Sequence, residues 1–174
     1  MKKFTTKDLA VGGMIAALYV VLTWVANLAG MASGAIQVRL SEALTILPIF
    51  TVAAVPGLTV GCVLANIFFG LGPWDVVLGS FATLLGAVGT RLLRNKPGVA
   101  WLPPVISNML IVPAVLLLYH LPDISLTLPI SQTEIQASGY FPLMLTVGIG
   151  EIISCGVLGM MLYGSLKEQR QLFS

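Results

Sequence analysis

Seven side chains able to bind a ligand or exchange a proton stand in or beside apolar stretches of this sequence: Arg39, Glu42, Asn66, Trp74, Asp75, Asn108 and Glu151. A carboxylate accepts two N–H bonds as a fork, Asn and Arg supply donors, and the Trp face suits stacking. Together they fit non-covalent recognition of a flat, hydrogen-bonding heterocycle. Covalent chemistry is poorly supplied. Intramembrane proteolysis would want a Ser–His pair, paired aspartates or a metal, and His120 has no second ligand at useful spacing, so no catalytic residue is expected. Cys62 and Cys155 are isolated, without CxxC spacing, and read as packing residues; no metal site is expected.

The elements that must position these groups follow from composition. Of 174 residues 57% are hydrophobic and 9% charged, with mean hydropathy +0.96. Too little polar surface exists to cover a water-soluble globule, so lipid must cover much of the chain. The length allows roughly six spans of about 20 residues and leaves no room for a separate soluble domain. The net charge of +2, with scattered basic residues, argues against a nucleic-acid partner.

No charge occurs between Asp8 and Arg39, Glu42 and Asp75, Asp75 and Arg91, or Lys96 and Asp123. These gaps predict an all-α integral membrane protein, a single unit over residues 1–174 with six transmembrane helices. The expected spans are Leu9 to Leu28, Ser41 to Val55, Leu58 to Phe69, a helix following Gly72-Pro73-Trp74 and ending near Leu93, Leu102 to Tyr119, and Tyr140 to Ser165. The second gap is broken at Pro56-Gly57, and Pro113 predicts a kink in the fifth helix. Gly30 to Gly34 and His120 to Ser138 read as connections. Met1-Lys2-Lys3 before an apolar run resembles a signal peptide, but the uncharged run is too long for one, which predicts an uncleaved first helix.

Lys2, Lys3, Lys7, Arg91, Arg94, Lys96, Lys167 and Arg170 all fall on one side of a six-span arrangement, leaving only Arg39 on the other. The positive-inside rule then predicts cytoplasmic N and C termini. On that topology all seven candidates except Asn108, which is nearer mid-span, belong to the outer half and come from four helices, as in a pocket open to the exterior. Each also has a purely structural reading. Arg39 and Glu42 could pair locally, Asp75 could cap its helix, Trp74 could sit in an interfacial belt, and Asn66 and Asn108 could bond between helices. Glu151, apolar on both sides, needs a donor from another helix or from a ligand.

Small residues form the other pattern. Gly12 with Ala16, Gly13 with Ala17, and Gly57 with Gly61 are small-xxx-small pairs, serving either internal packing or docking of another membrane subunit. A small six-helix chain of this kind resembles the S components of energy-coupling factor (ECF) transporters, the substrate-binding subunits of bacterial vitamin uptake systems. The stretch Ile36-Gln37-Val38-Arg39-Leu40-Ser41-Glu42-Ala43-Leu44, with Asn66 and Gly72-Pro73-Trp74-Asp75, is similar to the QueT-type family within that group. The likeness covers nearly the whole chain, although Gly13 and Gly12 stand where a clean Ala-x-x-x-Ala face would have alanine.

The resemblance implies a bacterial plasma-membrane protein whose ligand is a queuosine precursor, a 7-deazaguanine base or its nucleoside. It also implies a complex with a transmembrane coupling subunit and two cytoplasmic ATPases that use ATP to reorient this subunit. The chain has no cofactor of its own in that scheme, and it lacks a GxxxxGK[ST] phosphate loop. Glu42 or Glu151 would then take the amine edge, Asn66, Asn108 and Arg39 would donate or orient the acids, and Trp74 would stack. If the ligand carries an aminomethyl cation, Asp75 would be its partner. A stand-alone proton-coupled carrier is the alternative, because a buried Glu151 could exchange a proton; an S component for another vitamin is a further one.

Overall fold

The computed structural model describes residues 5–31, 38–118 and 139–168, which are helical with no strand. Helix α1 (Thr6–Leu28) opens on a reciprocal capping box: the Asp8 amide donates to Thr5 Oγ1 at 3.2 Å and the Thr5 amide to Asp8 Oδ2 at 2.9 Å. Two amides that a helix start leaves unpaired are thereby satisfied, and the helix begins at Thr6, earlier than the apolar run alone suggests. A 3-10 segment (Leu40–Ile49) follows, then α2 (Ala54–Phe68). A π-helical turn (Asp75–Gly79) leads into α3 (Ser80–Leu92), and a 3-10 turn (Pro97–Val99) precedes α4 (Leu102–Leu118). The last element is α5 (Tyr140–Glu151), a π-helical stretch (Ile152–Leu158) and α6 (Gly159–Leu166), end to end. The expected His120 to Ser138 connection, and most of that from Gly30 to Gly34, lie outside the described residues.

One expected element is corrected. Ser41 to Val55 is not an α-helix broken at Pro56-Gly57; the chain leaves its 3-10 winding after Ile49 and turns before Ala54. Pro56 lies in the first turn of α2, where an amide has no intrahelical acceptor, so its missing N–H costs nothing there. Four stretches are long and apolar enough to cross a membrane: Thr6–Leu28, Asp75–Leu92, Pro97–Leu118 and Tyr140–Leu166. Leu40–Ile49 and Ala54–Phe68 are apolar but shorter.

Side-chain contacts fix the directions of these elements. A Cβ on Gly57 would lie 2.6 Å from the Gly12 carbonyl oxygen, and one on Gly61 would lie 2.8 Å from Tyr19 Cβ, so α1 and α2 run the same way in close contact. Arg91 Nη1 donates to the carbonyls of Pro48 at 2.9 Å and Ile49 at 3.3 Å, which brings the end of the 3-10 segment beside the end of α3. Tyr163 of α6 stacks on Phe50 with ring centroids 5.5 Å apart. Successive elements therefore alternate in direction, and the ends carrying Lys7, Arg91 and Lys167 lie together. At the opposite end Tyr140 donates its hydroxyl to the Leu110 carbonyl at 2.7 Å.

The 3-10 segment is the centre of the bundle, with Ser41 to Ile49 all buried. Leu44 and Leu47 pack with Ile15, Tyr19, Leu58 and Cys62 in the main apolar cluster. Ten residues at about 2 Å rise span only about 20 Å, roughly half of a bilayer with its headgroups. Its first residues lie beside Ser154, well down the last long element: the Arg39 amide donates to Ser154 Oγ at 3.1 Å. Leu9, Met14, Leu18, Val21 and Trp24 are exposed along the far side of α1, an apolar stripe suited to lipid.

Candidate functional site

Four of the seven predicted residues come together where the central segment begins. Glu42 lies in its first turn, while Tyr19 and Asn108 lie at about mid-length of Thr6–Leu28 and Pro97–Leu118 and Glu151 somewhat before the middle of Tyr140–Leu166. Such depth is costly for an ionisable group, and Glu42 is 0% and Glu151 4% exposed. The carboxylate oxygens of Glu42 and Glu151 and the thiol of Cys155 lie within 4.8 Å of one another. Arg39, half-buried at the head of the segment, is close enough for its charge to act on both carboxylates.

Each group is held by its own element. Tyr19 falls on the buried α1 face with Gly12, Ile15 and Ala16, at helical spacing, and its hydroxyl donates to Glu42 Oε1 at 2.5 Å. Three and four positions after Glu151, about one turn on, come Ser154 and Cys155: Ser154 Oγ donates to the Gly150 carbonyl at 2.9 Å while accepting from the Arg39 amide. Cys155 Sγ lies 3.3 Å from Glu151 Oε2 and 3.5 Å from the Glu42 carbonyl oxygen. Thr45, whose hydroxyl donates to that same carbonyl, closes the floor. Asn108 stands beside both carboxylates, close enough for its amide to act on each, while neither its Nδ2 nor Glu42 Oε2 makes a hydrogen bond of good geometry. Both atoms are buried polar groups of the kind that interiors rarely leave unmatched.

Asn66, Trp74 and Asp75 form a second group at the α2–α3 connection. Asn66 Nδ2 donates to the Asp75 main-chain carbonyl at 2.8 Å, which ties the end of α2 to the π-helical turn. That bond is the interhelical role the sequence offered for Asn66. Asp75 is buried and Trp74 is 37% exposed. The two groups adjoin through Cys62, which lies 3.7 Å from Asn66 Nδ2, accepts from Thr83 and packs in the same cluster as Tyr19.

The small-residue pairs divide as well. Gly12 and Ala16 are buried against Ala53, Gly57 and Gly61, so their role is internal packing with α2. Gly13 and Ala17 point outward, and a Cβ on Gly13 would meet nothing within 4 Å.

Sequence reasoning missed Tyr19, Ser154 and Cys155. A hydroxyl on the small-residue face of α1 was a usable signal for Tyr19, and the position four after Glu151 was one for Cys155. Chemically the cluster is acceptor-rich. Two carboxylates, one unmatched carboxylate oxygen and one unmatched amide suit a ligand presenting N–H donors and an acceptor. The Glu42, Glu151 and Cys155 atoms could also hold a cation, a grouping that separations of more than a hundred residues kept out of any spacing motif.

The family model described as QueT transporter matches residues 9–168. A curated relative, the queuosine precursor transporter QueT of Lactococcus lactis subsp. cremoris (strain MG1363), is 36% identical over 85 residues, covering 49% of this chain and 50% of that protein. The aligned stretch thus spans about half the length of that relative. No solved structure matches.

Proposed function

We propose that this chain, which belongs to the QueT transporter family, is the substrate-binding membrane subunit of an ATP-driven ECF-type uptake system for a queuosine precursor. On this reading it crosses the bacterial plasma membrane six times, its termini are cytoplasmic, and the cluster is reached from outside. Four long spans supply the framework, with Leu40–Ile49 and Ala54–Phe68 completing it as two shorter passes. The observation that carries the reading is the buried Glu42–Glu151 pair at mid-membrane depth in a chain of a transporter family. The ligand class is a 7-deazaguanine base or nucleoside. Its N–H and exocyclic amine would be taken by one of the two acids, and its carbonyl would accept from Asn108 or Arg39. Trp74, Asp75 and Asn66 would line the approach, with the Trp74 ring available for stacking.

Energy would come from partners: a transmembrane coupling subunit docking on the Gly13 and Ala17 face of α1, and two cytoplasmic ATPases. Binding competition tests the substrate. Queuine, its precursor bases, guanine and common vitamins compete against a radiolabelled deazaguanine on the purified protein; the 7-deazaguanines should compete best, and a stronger unrelated vitamin would replace them as substrate. The carboxylate pair also supports a second reading, a stand-alone proton-coupled carrier. Under that reading uptake persists when the chain is expressed without ATPase subunits; under the first it fails.

A further inference from the structure

We propose that Arg91, at the end of α3, is a positioning residue for the substrate site: its bonds to the far end of the central segment hold Glu42 in the register that receives a ligand. The inference rests on the reading of the Glu42 cluster as the substrate site and adds to it a residue that lies outside it. Arg91 Nη1 donates to the Pro48 carbonyl at 2.9 Å and to the Ile49 carbonyl at 3.3 Å. The last carbonyls of a helical segment lack donors of their own. The amides that follow do not supply them, since Phe50 and Thr51 both donate to the Leu47 carbonyl. Among the described residues, the donor to both carbonyls is Arg91.

Such a grip is needed because the rest of the segment is held by contacts without direction. Leu44 and Leu47 pack in one apolar cluster and Ile46 and Ile49 in another, which keeps the segment between its neighbours but sets its lengthwise position only weakly. The winding itself adds little. A 3-10 run has poor hydrogen-bond geometry and is uncommon beyond three or four residues; this one has ten, and Pro48 contributes no N–H to it. Polar contacts at the two ends supply the missing constraint. At the Glu42 end the Arg39 amide donates to Ser154 Oγ, and about 20 Å away Arg91 holds the last two carbonyls. A slip by one residue's rise, about 2 Å, exceeds the tolerance of the hydrogen bond that Tyr19 donates to Glu42. Because Nη1 alone makes both Arg91 contacts, the guanidinium fork is not required, and a lysine ammonium can take its place.

The test measures equilibrium binding of radiolabelled queuine and 7-aminomethyl-7-deazaguanine to the purified full-length protein and to its Arg91→Met, Arg91→Lys and Thr90→Val variants. Each variant is first checked for a cooperative thermal transition. Arg91→Met should bind the preferred base about tenfold more weakly, the loss expected when a charged donor no longer holds the competent state. Arg91→Lys should recover most of that affinity. Thr90→Val removes a neighbouring bond, from Thr90 Oγ1 to the Ala100 carbonyl at 2.8 Å, and should lower the thermal transition without changing affinity. A second readout uses the native protein alone. Coupling is reciprocal, so occupying the site should slow hydrogen exchange at the Phe50 and Thr51 amides and leave unchanged that of Leu93, whose amide closes α3 itself. Native affinity in Arg91→Met, equal losses in Arg91→Met and Thr90→Val, no recovery in Arg91→Lys, or ligand-insensitive exchange at Phe50 each overturns the proposal and leaves the substrate site standing. Binding of neither base to the native protein overturns the substrate reading and this proposal with it.

Discussion

At the scale of single residues, Tyr19 is the most informative addition to the site. It is 2% exposed, and its one hydrogen-bond donor is spent on Glu42. Tyr19→Phe keeps the ring and the Cβ that faces Gly61 and removes only the hydroxyl, leaving a buried carboxylate with fewer donors. Such a loss costs about 1–3 kcal/mol, so the thermal transition of the detergent-solubilised protein should fall and ligand affinity with it. An unchanged transition and unchanged affinity would mean that Glu42 is held by other groups. Asn66 teaches the reverse lesson. A lone polar side chain in a span was legible in the sequence as ligand or strut, and its bond to the Asp75 carbonyl gives it work as a strut.

At the scale of elements, the α1–α2 crossing is set by glycines whose places a side chain cannot take. The Cβ of Gly57→Ala would fall 2.6 Å from a backbone oxygen, which cannot swing aside as a side chain can. Overpacking of this kind costs about 1–3 kcal/mol, whereas Gly13→Ala meets open space and gains about 0.5–1 kcal/mol of helix propensity. Comparing the two thermal transitions checks the crossing: Gly57→Ala should unfold at lower temperature than the native protein, Gly13→Ala at the same or higher. If both behave alike, the two faces of α1 are not distinguished as described. The small-xxx-small pattern was visible in the sequence, but not which face it served, because both overlapping pairs satisfy the same spacing and only the partner helix separates them. The winding of Leu40–Ile49 was also hidden: apolar from end to end apart from Ser41, Glu42 and Thr45, it offers no periodicity to separate 3-10 from α, and Pro56-Gly57 drew the break a few residues too late.

Across the whole molecule, what the sequence made legible was where the chain must be apolar. Charge-free gaps marked the long helices within a few residues at most ends, because an ion inside a bilayer is costly and the boundaries of such gaps are therefore sharp. What the sequence hid was convergence. Glu42 and Cys155 are 113 positions apart, and only the alternating path of the chain, with its central segment starting deep beside Ser154, brings them within bonding distance. The same path gathers Lys7, Arg91 and Lys167 toward one end, which supports a cytoplasmic assignment of that end by the positive-inside rule. The central claim is that the Glu42–Glu151 pair receives the substrate. Its most direct test is binding of a radiolabelled 7-deazaguanine base to purified native, Glu42→Gln and Glu151→Gln proteins that all retain a cooperative thermal transition. Loss of one partner of a buried charged contact costs about 2–5 kcal/mol, so affinity should fall by about 30-fold or more in each variant; native affinity in both would contradict the account.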